Sequence, residues 1–159
     1  METKESKTNL GSAKRPVKNI PSVKENQRPK LFDYHSLNNF EKILKIKEGV
    51  SKSMLEEIKL KAGLDYDTIS WILSVAKATI HNKKGEAKFD QKVSEKIIVL
   101  GDLYSYGYSV FEDEEKFNMW MKSPNRTFGE KTPLQLTDTI YGLEEVNNAI
   151  ARIEYGIYN

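Results

Sequence analysis

Few side chains in this sequence can do covalent or metal chemistry. The 159 residues include two histidines, His35 and His81, and no cysteine. Without thiols there is no disulfide, no cysteine nucleophile and no thiolate metal site. A metal would have to rest on clustered carboxylates. The densest run, Glu112-Asp113-Glu114-Glu115, lacks the alternating oxygen ligands and central glycine of a calcium loop. No glycine-rich phosphate loop, GxSxG or HExxH occurs. Glu144 and Glu145 are adjacent, so on a helix they diverge and read as surface rather than as an acid/base pair. The expectation is no catalytic residue, no metal and no cofactor: a protein that works by binding.

Binding chemistry is concentrated in two stretches. The first, Asp67 to Lys84, fits a helix-turn-helix, two short helices joined by a three- or four-residue turn. Ile69, Ile72, Leu73, Val75 and Ile80 would hold the pair together. Lys77, Thr79, His81, Asn82, Lys83 and Lys84 would then face solvent or a DNA groove. Lysine donates to phosphate or guanine, asparagine can make two bonds to adenine, and the threonine methyl can touch thymine. The other reading of the same spacing is a helical hairpin used for dimer packing, with a solvated basic face.

The second stretch ends the sequence, Ile153-Glu154-Tyr155-Gly156-Ile157-Tyr158-Asn159. Termini are usually frayed and polar, whereas this one carries two tyrosines and two isoleucines, which need a partner. Either a final helix docks on its own domain, or residues 155–159 plug another molecule.

The elements that must position these stretches are helical. Apolar residues at Leu37, Phe40, Ile43, Leu44 and Ile46 mark one helix that Gly49 stops. Ser51 or Ser53 can cap a second, with Met54, Leu55, Ile58 and Ala62, ending at Gly63. Asp65 or Asp67 starts a third. Asp90 can cap a long helix through Tyr104 that is expected to fray at Tyr106-Gly107-Tyr108. A helix from Glu112 to Met121 would bury Phe117, Trp120 and Met121, and Ser123-Pro124 would end it. Thr132-Pro133 can open a short helical turn, and Thr139 can cap a last helix bearing Ile140, Leu143, Val146, Ile150 and Ile153. Nothing alternates with period two, so the expected class is all-α.

Charge grades along the chain. Residues 1–30 carry a net +5, residues 31–99 a net +2 and residues 100–159 a net −5. The first 30 residues are polar and hold Pro16, Pro21 and Pro29, the composition of a disordered basic arm able to meet phosphates without sequence preference. No run approaches the roughly 18 apolar residues that span a bilayer, and the absence of cysteine fits a reducing cytosol. A cytoplasmic protein without membrane partners is expected.

The pattern Lys122-Ser123-Pro124-Asn125, Phe128-Gly129, Thr132-Pro133-Leu134-Gln135-Leu136 and Ile153 to Tyr158 resembles the toxin-binding domain of the Xre/MbcA/ParS antitoxin family. The resemblance runs from about Leu64 to Asn159. It implies an Xre-like helix-turn-helix domain over residues 31–110, followed by a small helical toxin-binding domain over 111–159. It further implies, as partner, a RES-domain toxin that degrades NAD or transfers ADP-ribose. Glu154, Tyr155, Gly156, Ile157, Tyr158 and Asn159, with Arg152 beside them, would cover the mouth of that enzyme. The resemblance also implies operator DNA as a partner, and a homodimer to match a palindromic operator. Two positions depart from the family: Ser74 stands where the turn usually has glycine, and Ala76 where the second helix usually starts on serine or threonine. The competing reading is a helix-turn-helix transcription factor whose C-terminal helices only dimerise.

Overall fold

The computed structural model describes residues 33–157. The basic arm expected over residues 1–30, and the tip residues Tyr158 and Asn159, lie outside the described residues. The rest is all-α, as the apolar spacing predicts: α1 (Asn39–Glu48), α2 (Lys52–Ala62), α3 (Tyr66–Leu73), α4 (Lys77–Asn82), α5 (Gln91–Phe111), α6 (Glu114–Lys122) and α7 (Ile140–Glu154). Two 3-10 turns, Arg126–Phe128 and Pro133–Leu136, join α6 to α7. Among the described residues the only extended pairings are isolated bridges, Ser51 with Lys88 and Asn125 with Lys131.

Short polar side chains start nearly every helix by accepting first-turn amides that have no partner within the helix. Ser51, Asp65, Asp90 and Thr139 do so for α2, α3, α5 and α7. Thr132 and Gln135 form a reciprocal capping box that opens the second 3-10 turn, with Pro133 at its start. Asp113 accepts from the amides of Glu115 and Lys116, both at 3.0 Å, so α6 begins at Glu114, two residues later than its acidic run suggests. Glu112 instead ends α5, with φ +53°.

α5 is the strut. It packs against α1, α2, α3, α6 and α7, and at 21 residues it spans roughly 30 Å at 1.5 Å per residue. Its buried positions, among them Ile97, Ile98, Leu100, Leu103 and Tyr104, face more than one side. The fraying expected at Tyr106-Gly107-Tyr108 does not occur, because this stretch is covered by α6. Phe117 is fully buried and its ring lies where a side chain on Gly107 would be: a Cβ there would meet the ring at 2.1–2.5 Å. The ring cannot retreat, being packed edge-on against Tyr104, Tyr108 and Phe111 and stacked on Trp120.

The α1 stripe divides differently from the sequence expectation. Leu37 and Ile46 pack on the core, while Phe40, Ile43 and Leu44 are 68%, 46% and 51% exposed. α1 meets the rest of the fold chiefly along α5, so a stripe this wide has more apolar surface than one neighbouring helix can cover.

Alanine at 107 would gain about 1 kcal/mol of helix propensity, but overpacking a fixed ring costs about 1–3 kcal/mol, and Cβ contacts below 2.5 Å belong at the upper end. Gly107→Ala is expected to lower stability by about 2 kcal/mol in urea unfolding. In a Phe117→Ala background the same change should raise it. Stabilisation of the otherwise unaltered chain would refute the packing of α6 on Gly107.

Candidate functional site

The tip is built by the way α7 ends. Ile157 N–H donates to the Arg152 carbonyl at 2.8 Å and Gly156 N–H to the Ile153 carbonyl at 3.1 Å, the paired bonds of a Schellman motif. Gly156 takes φ +66°, the left-handed value this motif requires. Nothing lies within 4 Å of a Cβ built there. Conformation, not space, selects the glycine.

Beyond the cap the side chains point outward. Tyr155 is 74% exposed and Ile157 53%. Glu154 is tied back to the strut, accepting from the Tyr106 hydroxyl at 2.6 Å. Tyr106 in turn stacks on His35, ring centroids 4.7 Å apart, and His35 Nδ1 lies 3.2 Å from Asp102, which also takes the Lys42 ammonium at 2.9 Å. Burial, with the hydrogen bond and charge of Glu154, pushes the Tyr106 hydroxyl up from 10.0 to about 12. Of the six tip residues and Arg152, the structure brings together Arg152, Glu154, Tyr155, Gly156 and Ile157 as one fixed turn.

Beside the tip opens a groove of about 520 Å³, lined by Phe111 at the end of α5, Trp120 on α6, and Arg152, Ile153 and Ile157 from the end of α7. The loop 123–131 closes it. Asn125 Oδ1 accepts the Thr127 amide, and the Asn125 amide donates to the Lys131 carbonyl at 3.0 Å. Trp120, which its place on the α6 stripe predicts to be core, is only half-buried and forms part of the groove wall. The groove left no local signal because its walls come from separate elements, with Phe111 on α5 and Ile153 on α7 more than forty positions apart.

The second candidate surface joins α3 and α4. Ile69, Ile72, Leu73 and Ile80 are buried between them and α5, with Val75 partly so. Ser74 adopts φ +54° and closes α3 with a second Schellman pair, Ser74 to Trp71 and Val75 to Ser70. Its hydroxyl meets the Lys96 ammonium at 2.8 Å. Ala76 begins α4 with no side-chain cap, as its chemistry dictates.

The expected DNA-reading residues are not equally available. Lys77, Thr79, His81, Asn82 and Lys84 are exposed and Lys83 is partly buried, but several are engaged within the chain. Lys77 is ion-paired with Asp67. Lys83 donates to the Lys88 carbonyl and lies over the Phe89 ring at 5.3 Å. His81 packs on Tyr66, whose hydroxyl donates to Glu56 at 2.7 Å. Burial pushes the Glu56 carboxyl up, but hydrogen bonds from Lys52 and Tyr66 and the charges of Lys52 and Lys59 prevail and hold it below its ordinary range. No helix among the described residues is long and apolar enough to cross a membrane.

Residues 107–156 match the family described as the antitoxin Xre/MbcA/ParS C-terminal toxin-binding domain. Two curated relatives are both named antitoxin Xre. That of Photorhabdus laumondii is 36% identical over 74 residues, 46% of this chain and 50% of that protein. That of Yersinia enterocolitica is 25% identical over 116 residues, 72% of this chain and 78% of that protein. The chain thus spans about half the length of the Photorhabdus relative. The match takes in the motif residues from Lys122 to Gly156 that carry the resemblance, and stops short of Ile157 and Tyr158.

The Tyr106–Glu154 bond has a spectroscopic consequence. The ultraviolet difference between the unaltered chain and Tyr106→Phe should titrate near pH 12, and at a lower pH, still above the ordinary tyrosine value because burial is the larger cause, when Glu154→Gln is added. Because the folded-state value is raised, the stability that this bond contributes is present below the unfolded value of about 10. It is lost as pH rises through about 12. A tyrosine titrating at its ordinary value in the unaltered chain would break the link between strut and tip.

Proposed function

We propose that this chain, whose residues 107–156 match the toxin-binding domain of the Xre/MbcA/ParS type, is the antitoxin of a type II toxin–antitoxin pair. Its partner is a RES-domain toxin that consumes NAD, and Arg152 with residues 154–159 covers that enzyme's active site. The observation that carries this reading is the exposed Tyr155 and Ile157 held on a closed helix cap rather than on a loose tail. A segment already ordered loses little conformational freedom on binding, which preserves affinity. A pocket for NAD must accept flat rings and anionic phosphates. The tyrosines at 155 and 158 are of the first shape, and Glu154 and the other acidic groups of this half of the chain suit the cations that would hold phosphate.

The same chain represses its own operon in this reading. Residues 31–110 form the DNA-binding half, α4 presents Lys77, Thr79, His81, Asn82, Lys83 and Lys84, and residues 1–30 add phosphate contacts. A cytoplasmic homodimer would match its two-fold axis to a palindromic operator. For Lys77 and Lys83, binding DNA means exchanging the internal partners Asp67 and the Lys88 carbonyl for phosphate.

Deleting residues 155–159 should leave the core folded, since α7 is anchored by Val146 and Ile150, and should abolish rescue of cells expressing the toxin gene beside this one. Rescue by the truncated chain would refute the plug. Separately, Lys77→Glu, Lys83→Glu and Lys84→Glu together should weaken operator binding at least tenfold and lower its salt slope by about three, roughly one per phosphate contact. Toxin binding should be unchanged. Undiminished operator affinity would leave α3 and α4 as a packing hairpin.

A further inference from the structure

The groove beside the tip is a second contact site, and we infer that it receives an apolar side chain of the toxin, aromatic or branched, while the tip enters the toxin. This rests on the antitoxin reading and names a further part of that interface. The groove has the volume of a small-molecule pocket, about 520 Å³, and its walls are of the kind that dominate protein interfaces. Trp120 and Phe111 supply aromatic surface, their ring centroids 5.5 Å apart and tilted by 49°, and Ile153 and Ile157 supply aliphatic surface. Half-buried tryptophan in a preformed concavity is the composition of a hot spot. Glu145 and Arg152 bring one charge of each sign to the same groove, enough to orient a partner without favouring a charged occupant.

Two observations identify the occupant as the toxin. Apart from Ile157, every residue lining the groove falls inside residues 107–156, the stretch that matches a toxin-binding domain. The groove also shares Arg152, Ile153 and Ile157 with the turn that carries the exposed Tyr155. A protein that takes the tip into a cleft must bring the rim of that cleft over the groove. Insertion in both directions would fix the register of the complex at two points rather than one.

The test uses the full chain labelled with 5-fluorotryptophan and the unlabelled toxin from the adjacent gene, with Trp71→Phe to assign the two fluorine resonances. The Trp120 resonance should shift or broaden on addition of toxin. Thr127→Trp, which fills the groove from an exposed position, should weaken toxin binding at least tenfold. Arg126→Trp adds the same bulk to the same turn outside the groove and should bind as the unaltered chain does, both variants melting at the unaltered temperature. An unmoved Trp120 signal in a complex that forms would overturn the inference, as would equal losses for the two variants or none for Thr127→Trp. So would Tyr158→Ala moving the Trp120 signal as far as toxin does, because the chain's own tyrosine would then be the occupant. Inhibition that depends on residues 155–159 while the groove stays silent defeats this inference alone, whereas failure of the unaltered chain to bind toxin defeats the antitoxin reading with it.

Discussion

The ring of Phe117 against the bare backbone of Gly107 sets the geometry of this protein. A helix buried on several sides cannot carry large residues everywhere, since protein interiors are packed as densely as organic crystals. α5 resolves this with a glycine where α6 crosses closest, and Phe117 fills the space so fully that no Cβ fits. Around that ring gather Tyr104, Tyr108, Phe111 and Trp120. One wall of the groove and the seat of α6 follow from it. If the slot closed, α6, the loop after it and the 3-10 turn on which α7 rests would all have to move.

The tip inherits its rigidity from the same strut. α7 ends in a hydrogen-bonded cap, and Tyr106 holds Glu154 from across the helix pair. The chain behind Tyr106 extends through His35 and Asp102 to Lys42 on α1. The surface proposed for the toxin and the first helix are therefore connected through α5 by direct contacts. Holding apolar residues in water on an ordered turn is unfavourable unless a partner covers them, and the packed helix behind the turn keeps them from collapsing onto the core.

The α3–α4 surface shows the opposite economy of charge. Three lysines and a histidine lie within eight residues, yet two of the lysines are occupied internally and the histidine packs on Tyr66. The ion pair of Lys77 with Asp67 is about half exposed on the lysine side and is worth at most about 1 kcal/mol, so a phosphate can displace Asp67 readily. The Lys83 bond to a backbone carbonyl likewise leaves its charge available at short range.

Most of the helices, and several of their starts, are written in local residue chemistry. Caps such as Ser51, Asp65, Asp90, Thr132 and Thr139 act within three residues of themselves, and the three-to-four spacing of Leu55, Ile58, Val146 and Ile150 is a property of one helix at a time. The C-terminal motifs were legible for the same reason, being contiguous. Which apolar stripes stay uncovered is settled by packing between helices, so Phe40 and Leu44 are exposed while Ile97 and Leu103 are not. That packing also decides that α5 continues through Gly107, because the residue that protects that stretch lies ten positions away on another helix. The groove belongs to this second kind: Phe111, Trp120 and Ile153 become neighbours only through packing, and no local pattern encodes a distance between helices.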